Sequence, residues 1–69
     1  MSTKSARDLR AGDVVQVNAQ TAWRITEITR LTDKAISYNA TYVQCDWSPA
    51  RIGTTVTYRH RLGTQVVVR

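Results

Sequence analysis

An alternation of apolar and polar residues with a period of two runs through most of this chain. It is clearest in residues 22–28 and 35–42, where Ile36, Tyr38 and Tyr42 fall on one side of an extended backbone. Side chains of a β-strand point alternately to its two faces, so each run presents one apolar and one polar face. The pattern predicts an all-β fold whose strands cover a single core.

Two changes of phase in this alternation predict bends in the strands. Trp23 and Ile25 share one face, but Ile28 is out of phase with them by one residue. A β-bulge near residues 26–27 would return Ile28 to the inner face and bend the strand. A second change near Tyr42 predicts another bend. We therefore expect Trp23 to lie in the core of a small, strongly bent barrel.

The domain organisation follows from the length of 69 residues, which suffices for one domain. Residues 1–8 are polar and are predicted to be a flexible tail or a short helical turn. Residues 9–69 are predicted to form a single β-barrel domain of five or six antiparallel strands. A core of this size contributes at best ~3–5 kcal/mol, and one cysteine forms no internal disulfide. This leaves very good packing or self-association as the source of stability, and we expect a homo-oligomer.

The last two strands are predicted to form a hairpin. Pairing Tyr58 with Val66 and Val56 with Val68 places all four side chains inward. This register leaves a three-residue loop, residues 61–63, ending in a glycine suited to positive φ. The outer face of the predicted hairpin then carries Thr57, Arg59, Gln65 and Arg69.

Two stretches resemble a known superfamily. Residues 12–17 (Gly-Asp-Val-Val-Gln-Val) followed by residues 23–28 (Trp-Arg-Ile-Thr-Glu-Ile) resemble the opening of SH3-like small barrels, including KOW-type nucleic-acid modules. The resemblance implies an SH3-like antiparallel barrel. Such barrels include nucleic-acid binders, peptide binders, assembly proteins and a few enzymes, so the resemblance alone leaves the function open.

The charge distribution favours an anionic ligand. The formal net charge is +5, and residues 47–69 contain four arginines and no acidic residue. Arginine donates hydrogen bonds in pairs and suits phosphate groups. Trp47, beside the only proline, could stack on a base, grip a peptide or cap the open end of the barrel. The predicted nucleic-acid-binding residues are Trp47, Arg51, Thr57, Arg59, Arg61, Gln65 and Arg69.

Two functional hypotheses follow. The first is a small basic nucleic-acid-binding accessory or regulatory protein, whose size and basicity are typical of phage or mobile-element proteins, with DNA, RNA or a host protein as partner. The alternative is a protein-interaction or assembly module that uses an edge strand or the loop of residues 47–51. Val14 and Val67, two apolar residues on predicted outer faces, fit the alternative.

Few residues could support catalysis. Cys45 is the only thiol and His60 the only imidazole, so we expect no enzyme, no metal and no cofactor, with an enzyme assembled by oligomerisation as a third hypothesis. No apolar run approaches the ~18 residues of a membrane span. The polar N-terminal residues resemble no signal peptide, and a single cysteine suits a reducing compartment. We therefore expect a cytoplasmic protein without a membrane partner.

Overall fold

A computed structural model describes residues 2–69 and confirms the all-β fold, with six antiparallel strands in one sheet. The strands are β1 (Ser2–Ser5), β2 (Val14–Asn18), β3 (Thr21–Leu31), β4 (Ala35–Cys45), β5 (Thr55–Arg61) and β6 (Gln65–Val68). Their order across the sheet is β1-β6-β2-β3-β4-β5. Two 3-10 turns, Ala6–Asp8 and Pro49–Arg51, interrupt the connections.

The first strand lies within the stretch that the sequence assigns to a tail or helical turn. β1 pairs with β6 over all four of its residues, and the 3-10 turn Ala6–Asp8 follows it. Met1, the first residue of the predicted tail, lies outside the described residues. The backbone of residues 2–5 is therefore part of the sheet.

The long β3–β4 hairpin contains the predicted bends. Its register shifts between Ile25 and Glu27, as the phase change predicts, and again where Ala22–Trp23 faces Tyr42. Trp23 is buried, and Ile28 packs against the core from a half-buried position. The bulges thus bring apolar residues that are out of phase in sequence onto one inner face.

The predicted C-terminal hairpin is wrong. β5 pairs with β4, with Tyr58 opposite Tyr38, whereas β6 pairs with β1 and, at Val68, with β2. The alternation of Val56 and Tyr58 determines which face of β5 is buried, but not which strand lies beside β5. Pairing with β4 and pairing with β6 are both compatible with this alternation. Gly63 does not have the predicted positive φ; within residues 2–69 only Gly12 and Gly53 do.

The sheet does not close into a complete barrel, because β1 and β5 are both edge strands. Its inner face nevertheless surrounds one core, formed by Ala6, Leu9, Val15, Trp23, Ile25, Ile36, Tyr38, Ala40, Val66 and Val68. Val17 is 42% exposed and lies at the β2–β3 register shift between Gln16 and Asn18. Within residues 2–69, no helix has the length and apolar character needed to cross a membrane.

Candidate nucleic-acid interface on the outer sheet face

A row of two arginines and a serine crosses the outer face of the sheet. Arg30 on β3 lies opposite Ser37 on β4, and Ser37 lies opposite Arg59 on β5. Residues directly opposite each other in a sheet share a face. Because neighbouring strands are about 4.8 Å apart, the two arginine Cα atoms are about 10 Å apart. Two guanidinium groups therefore flank one hydroxyl group.

Two further polar rows continue this face towards the other end of β4. They consist of Glu27, Asn39 and Thr57, and of Arg24, Thr41 and Thr55. The Thr57 hydroxyl donates to Asn39 Oδ1 over 2.8 Å, and the Thr26 hydroxyl donates to the Asn39 carbonyl oxygen over 3.1 Å. The outer face of β3–β4–β5 is thus a continuous polar surface with an arginine at each end.

The β3–β4 turn and the end of β5 each add one more cation beside the first row. Thr32 Oγ1 accepts hydrogen bonds from the backbone N–H groups of Lys34 and Ala35, which shapes the turn. Beside it lies a cleft of about 390 Å³ whose walls include Arg30, Lys34 and Arg59. Arg61 lies opposite Ala35 at the same end of the sheet. We call Arg30, Lys34, Arg59 and Arg61 the basic cluster.

The side chains of the basic cluster are available to a ligand. All four residues are exposed, and within residues 2–69 none of their side chains makes an ion pair or a hydrogen bond. Glu27 and Asp33 lie nearby, so the local charge is four positive minus two negative, or +2. An anion bound here would not have to displace an existing partner of any of the four cations.

The remaining predicted site residues are not brought to this cluster. Arg69 donates from Nε to Gln16 Oε1 over 2.8 Å and from Nη2 to Gln44 Oε1. It follows β6, and three strands separate β6 from β5. Gln65, on β6 opposite Ser5, lines the space between β5 and β6 and not the cleft beside Arg30 and Arg59. The predicted row of Arg59, Arg61 and Arg69 therefore does not form, because it depended on the β5–β6 hairpin.

Trp47 and Arg51 lie near the Cys45 end of β4, away from the turn that carries Lys34. The Trp47 ring is 54% exposed, and the Arg51 guanidinium lies 5.1 Å from its centroid. The indole N–H donates to Thr21 Oγ1 over 2.7 Å. Because Arg51 already covers the ring and the N–H is bonded, Trp47 is held in place by its own neighbours.

Sequence reasoning identified Thr57, Arg59 and Arg61 but missed Arg30 and Lys34. The strand β3 continues to Leu31, so Arg30 lies within a strand. A third register shift, between Ile28 and Arg30, turns Arg30 to the outer face. The high β propensity of Ile28 and Thr29 was the one signal for this extension.

A hydrogen-bonded chain of three rings lies beneath β5. Trp23 Nε1 donates to the Tyr38 hydroxyl over 3.0 Å, and that hydroxyl lies 2.8 Å from His60 Nε2. An indole N–H can only donate, so the Tyr38 hydroxyl accepts from Trp23, and the direction of its hydrogen bond with His60 follows the imidazole tautomer. Burial raises the pKa of Tyr38 to about 12 and lowers the pKa of His60. Both groups are thus held neutral.

A Cys45–His60 catalytic pair does not form. His60 on β5 lies opposite Ile36 of β4. Cys45 is nine residues further along β4, where it lies opposite Thr21 of β3. Cys45 is buried and free of disulfide bonds. Within residues 2–69 no group of three or more His, Cys, Asp and Glu side chains is placed to hold a metal ion.

Comparisons with protein-family models, with curated proteins and with solved structures find no match to this chain.

Proposed function

We propose that this protein binds the phosphate backbone of a nucleic acid through the basic cluster on the outer face of β3–β4–β5. The observation that carries the proposal is the row of Arg30, Ser37 and Arg59, with Lys34 and Arg61 beside it. Guanidinium groups donate pairs of charge-assisted hydrogen bonds to phosphate oxygens. The serine hydroxyl between them supplies a further donor.

The wider setting supports the same proposal. The net charge of +5 favours association with a polyanion, and the polar rows beside the cluster carry hydroxyl and amide groups that can contact phosphate and sugar. The proposed role is that of a cytoplasmic accessory or regulatory protein of a phage or mobile element, and not of an enzyme. The open six-stranded sheet is compatible with an SH3-like barrel, and we include that fold relationship in the proposal.

Fluorescence anisotropy of labelled 20-nucleotide DNA and RNA, single- and double-stranded, at 50 to 200 mM salt tests this proposal. With four phosphate contacts, log K should fall against log[salt] with a slope of about −3.6 for duplex DNA and about −2.8 for single strands. The double variant Arg30→Ala with Arg59→Ala should reduce the magnitude of the slope by about 2 for duplex DNA.

The matched control removes the same charge from elsewhere. Arg51→Ala with Arg69→Ala alters two exposed arginines that lie outside the basic cluster, so the slope should stay near that of the unaltered protein. The absence of binding at 50 mM salt would exclude the proposal. Equal slopes for the two double variants would show that net charge, and not this surface, determines binding.

A further inference from the structure

An open seam runs along the free side of β5. Tyr58 and His60 of β5 form one wall, and Val17 of β2 and Val66 of β6 contribute to the other. The space between them is about 280 Å³. Tyr58 is 43% exposed and Val17 is 42% exposed, so the seam presents apolar surface to solvent.

The backbone of β5 has unused hydrogen-bonding groups along this seam. Leu62 N donates to Lys34 O, and Tyr42 N donates to Thr54 O, so the even-numbered positions bond to β4. The odd-numbered positions therefore direct their N–H and C=O groups to the free edge. For Thr55, Thr57 and Arg59, no backbone group within residues 2–69 pairs with them there.

We propose that an extended peptide in which acidic and apolar residues alternate adds to this edge as an antiparallel strand. Opposed residues share a face, so guest residues opposite Thr57 and Arg59 lie on the outer face, where a carboxylate meets the arginine. The intervening guest residues point into the seam beside Tyr58. The pairing extends an antiparallel sheet and covers apolar surface that solvent now contacts.

Charge selects such a peptide over a second copy of this chain. The two edges that a copy could offer are β1 and β5, and neither contains an acidic residue. β1 carries Lys4, whereas β5 carries Arg59 and Arg61. Pairing either with β5 would bring like charges together, which destabilises a sheet. This inference goes beyond nucleic-acid binding and uses neither Arg30 nor Lys34.

The direct test uses an eight-residue peptide, acetylated and amidated, in which glutamate alternates with valine and leucine. Anisotropy with the full chain should show at least about tenfold tighter binding than for the same peptide with lysine in place of glutamate. Amide hydrogen exchange at Thr55, Thr57 and Arg59 should slow at least about tenfold on saturation. No binding, or protection confined to other strands, would overturn the proposal.

N-methylated peptides test the backbone pairing without altering the protein. In antiparallel pairing, the guest residues opposite Thr57 and Arg59 are those that bond to β5. N-methylation of the glutamates should therefore abolish binding, whereas N-methylation of the apolar residues should leave it. Equal effects of the two modifications would contradict antiparallel addition to this edge. So would a loss of binding only for the peptide that is N-methylated at its apolar residues.

Two protein variants complete the test. Arg59→Glu should reverse the preference between the glutamate and lysine peptides, and an unchanged preference would contradict the role of charge. Tyr58→Ala should weaken glutamate-peptide binding at least about tenfold while leaving the nucleic-acid salt slope unchanged, which separates this proposal from the previous one. Light scattering that shows a dimer with the β5 amides protected would assign the edge to a second copy and overturn the proposal.

Discussion

β1 and β5 both end the same sheet, but they end it in different ways. β1 has four residues, and Lys4 Nζ lies 3.2 and 3.1 Å from the two carboxylate oxygens of Asp13. The Ser5 hydroxyl donates to the Leu62 carbonyl oxygen over 2.9 Å. β5 has seven residues and borders an apolar seam. Very short edge strands resist further pairing, so the capacity to accept another strand is concentrated at β5.

The packing behind the two edges also differs. Behind β1, the 3-10 turn and Leu9 contribute aliphatic groups to the core. Behind β5 lie stacked rings, with Tyr58 5.2 Å from Trp23 and 4.8 Å from His60 between centroids. The aliphatic contacts contain no titratable group, whereas Tyr38 and His60 behind β5 can each gain or lose a proton. Perturbations of the two ends should therefore differ in pH dependence as well as in size.

The largest expected effect is at the β1 end. Leu9 is 1% exposed, so Leu9→Ala removes buried methyl groups and leaves a cavity. The free energy of unfolding should fall by about 2–5 kcal/mol, measured by urea denaturation. Leu31→Ala, at a leucine that is 60% exposed, is the matched control and should change it by less than about 0.5 kcal/mol. Similar losses in the two variants would show that β1 is not anchored through Leu9.

The next effect is at the β5 end. Tyr38→Phe removes the hydroxyl that joins Trp23 Nε1 to His60 Nε2 and leaves both nitrogen atoms without this partner. The free energy of unfolding should fall by about 1–3 kcal/mol, measured by urea denaturation at pH 7.5. Tyr42→Phe is the control, since the Tyr42 hydroxyl makes no hydrogen bond within residues 2–69, and a comparable loss there would contradict this assignment.

The Tyr38 hydroxyl also predicts a loss of folding stability at alkaline pH. The pKa of Tyr38 is raised to about 12 in the folded protein, from 10.0 in an open chain. Between these values the unfolded state loses the proton first, so stability should fall as the pH rises through this window. Tyr38→Phe should make the decline shallower. An identical alkaline decline in both proteins would show that Tyr38 is not its source.

The sequence predicted those features of the fold that depend on one strand at a time. The phase change after Ile25 is visible in the order of residues, and the bulge follows from it. The partner of β5 is not visible in this way, because Tyr58 can lie opposite Tyr38 or Val66 with apolar side chains on the same face in both cases. β1 has no apolar pattern at all, and its pairing with β6 depends on tertiary contacts such as that of Lys4.

The same limit applies to the candidate site: residues placed by the pattern of a single strand were predicted, and residues placed by strand pairing were not. Arg59 and Arg61 were identified because their exposure follows from the alternation of β5 alone. Arg30 and Lys34 join them only through the pairing of β3, β4 and β5 and through a register shift. Arg69 was placed wrongly because its predicted position depended on the incorrect hairpin. To predict a surface that is formed by three strands, one must know the order of the strands in the sheet. The apolar–polar alternation within each strand does not give that order.

A smaller effect at the β5 end should appear in mild acid. Burial beside Tyr38 and Tyr58 lowers the pKa of His60, so below pH 6.5 the unfolded chain takes up the proton before the folded protein does. Stability should be constant above about pH 6.5 and fall as the pH decreases towards the folded pKa. His60 is the only histidine, so it is the only imidazole that can titrate in this window.

Urea midpoints at pH 7.5, 6.5 and 5.5 measure the effect, with His60→Gln as the control. The glutamine variant should have a flatter profile over this range, because its amide does not titrate. If the variant and the unaltered protein lose stability in parallel below pH 6.5, another group is responsible, and the difference in pH dependence between the two ends would not arise from His60.

The smallest expected effect concerns the ion pair that holds β1. The Lys4 and Asp13 side chains are 37% and 21% exposed, so solvent and salt screen their attraction. Lys4→Met keeps an apolar stem and should lower the free energy of unfolding by about 0–1 kcal/mol at low salt, with little difference at 1 M salt. Lys34→Met, at a lysine without an ion pair within residues 2–69, is the control and should have no such salt dependence. A loss from Lys4→Met larger than that from Leu9→Ala would mean that charge, and not aliphatic packing, anchors β1, and the contrast between the two edges would then be electrostatic in origin.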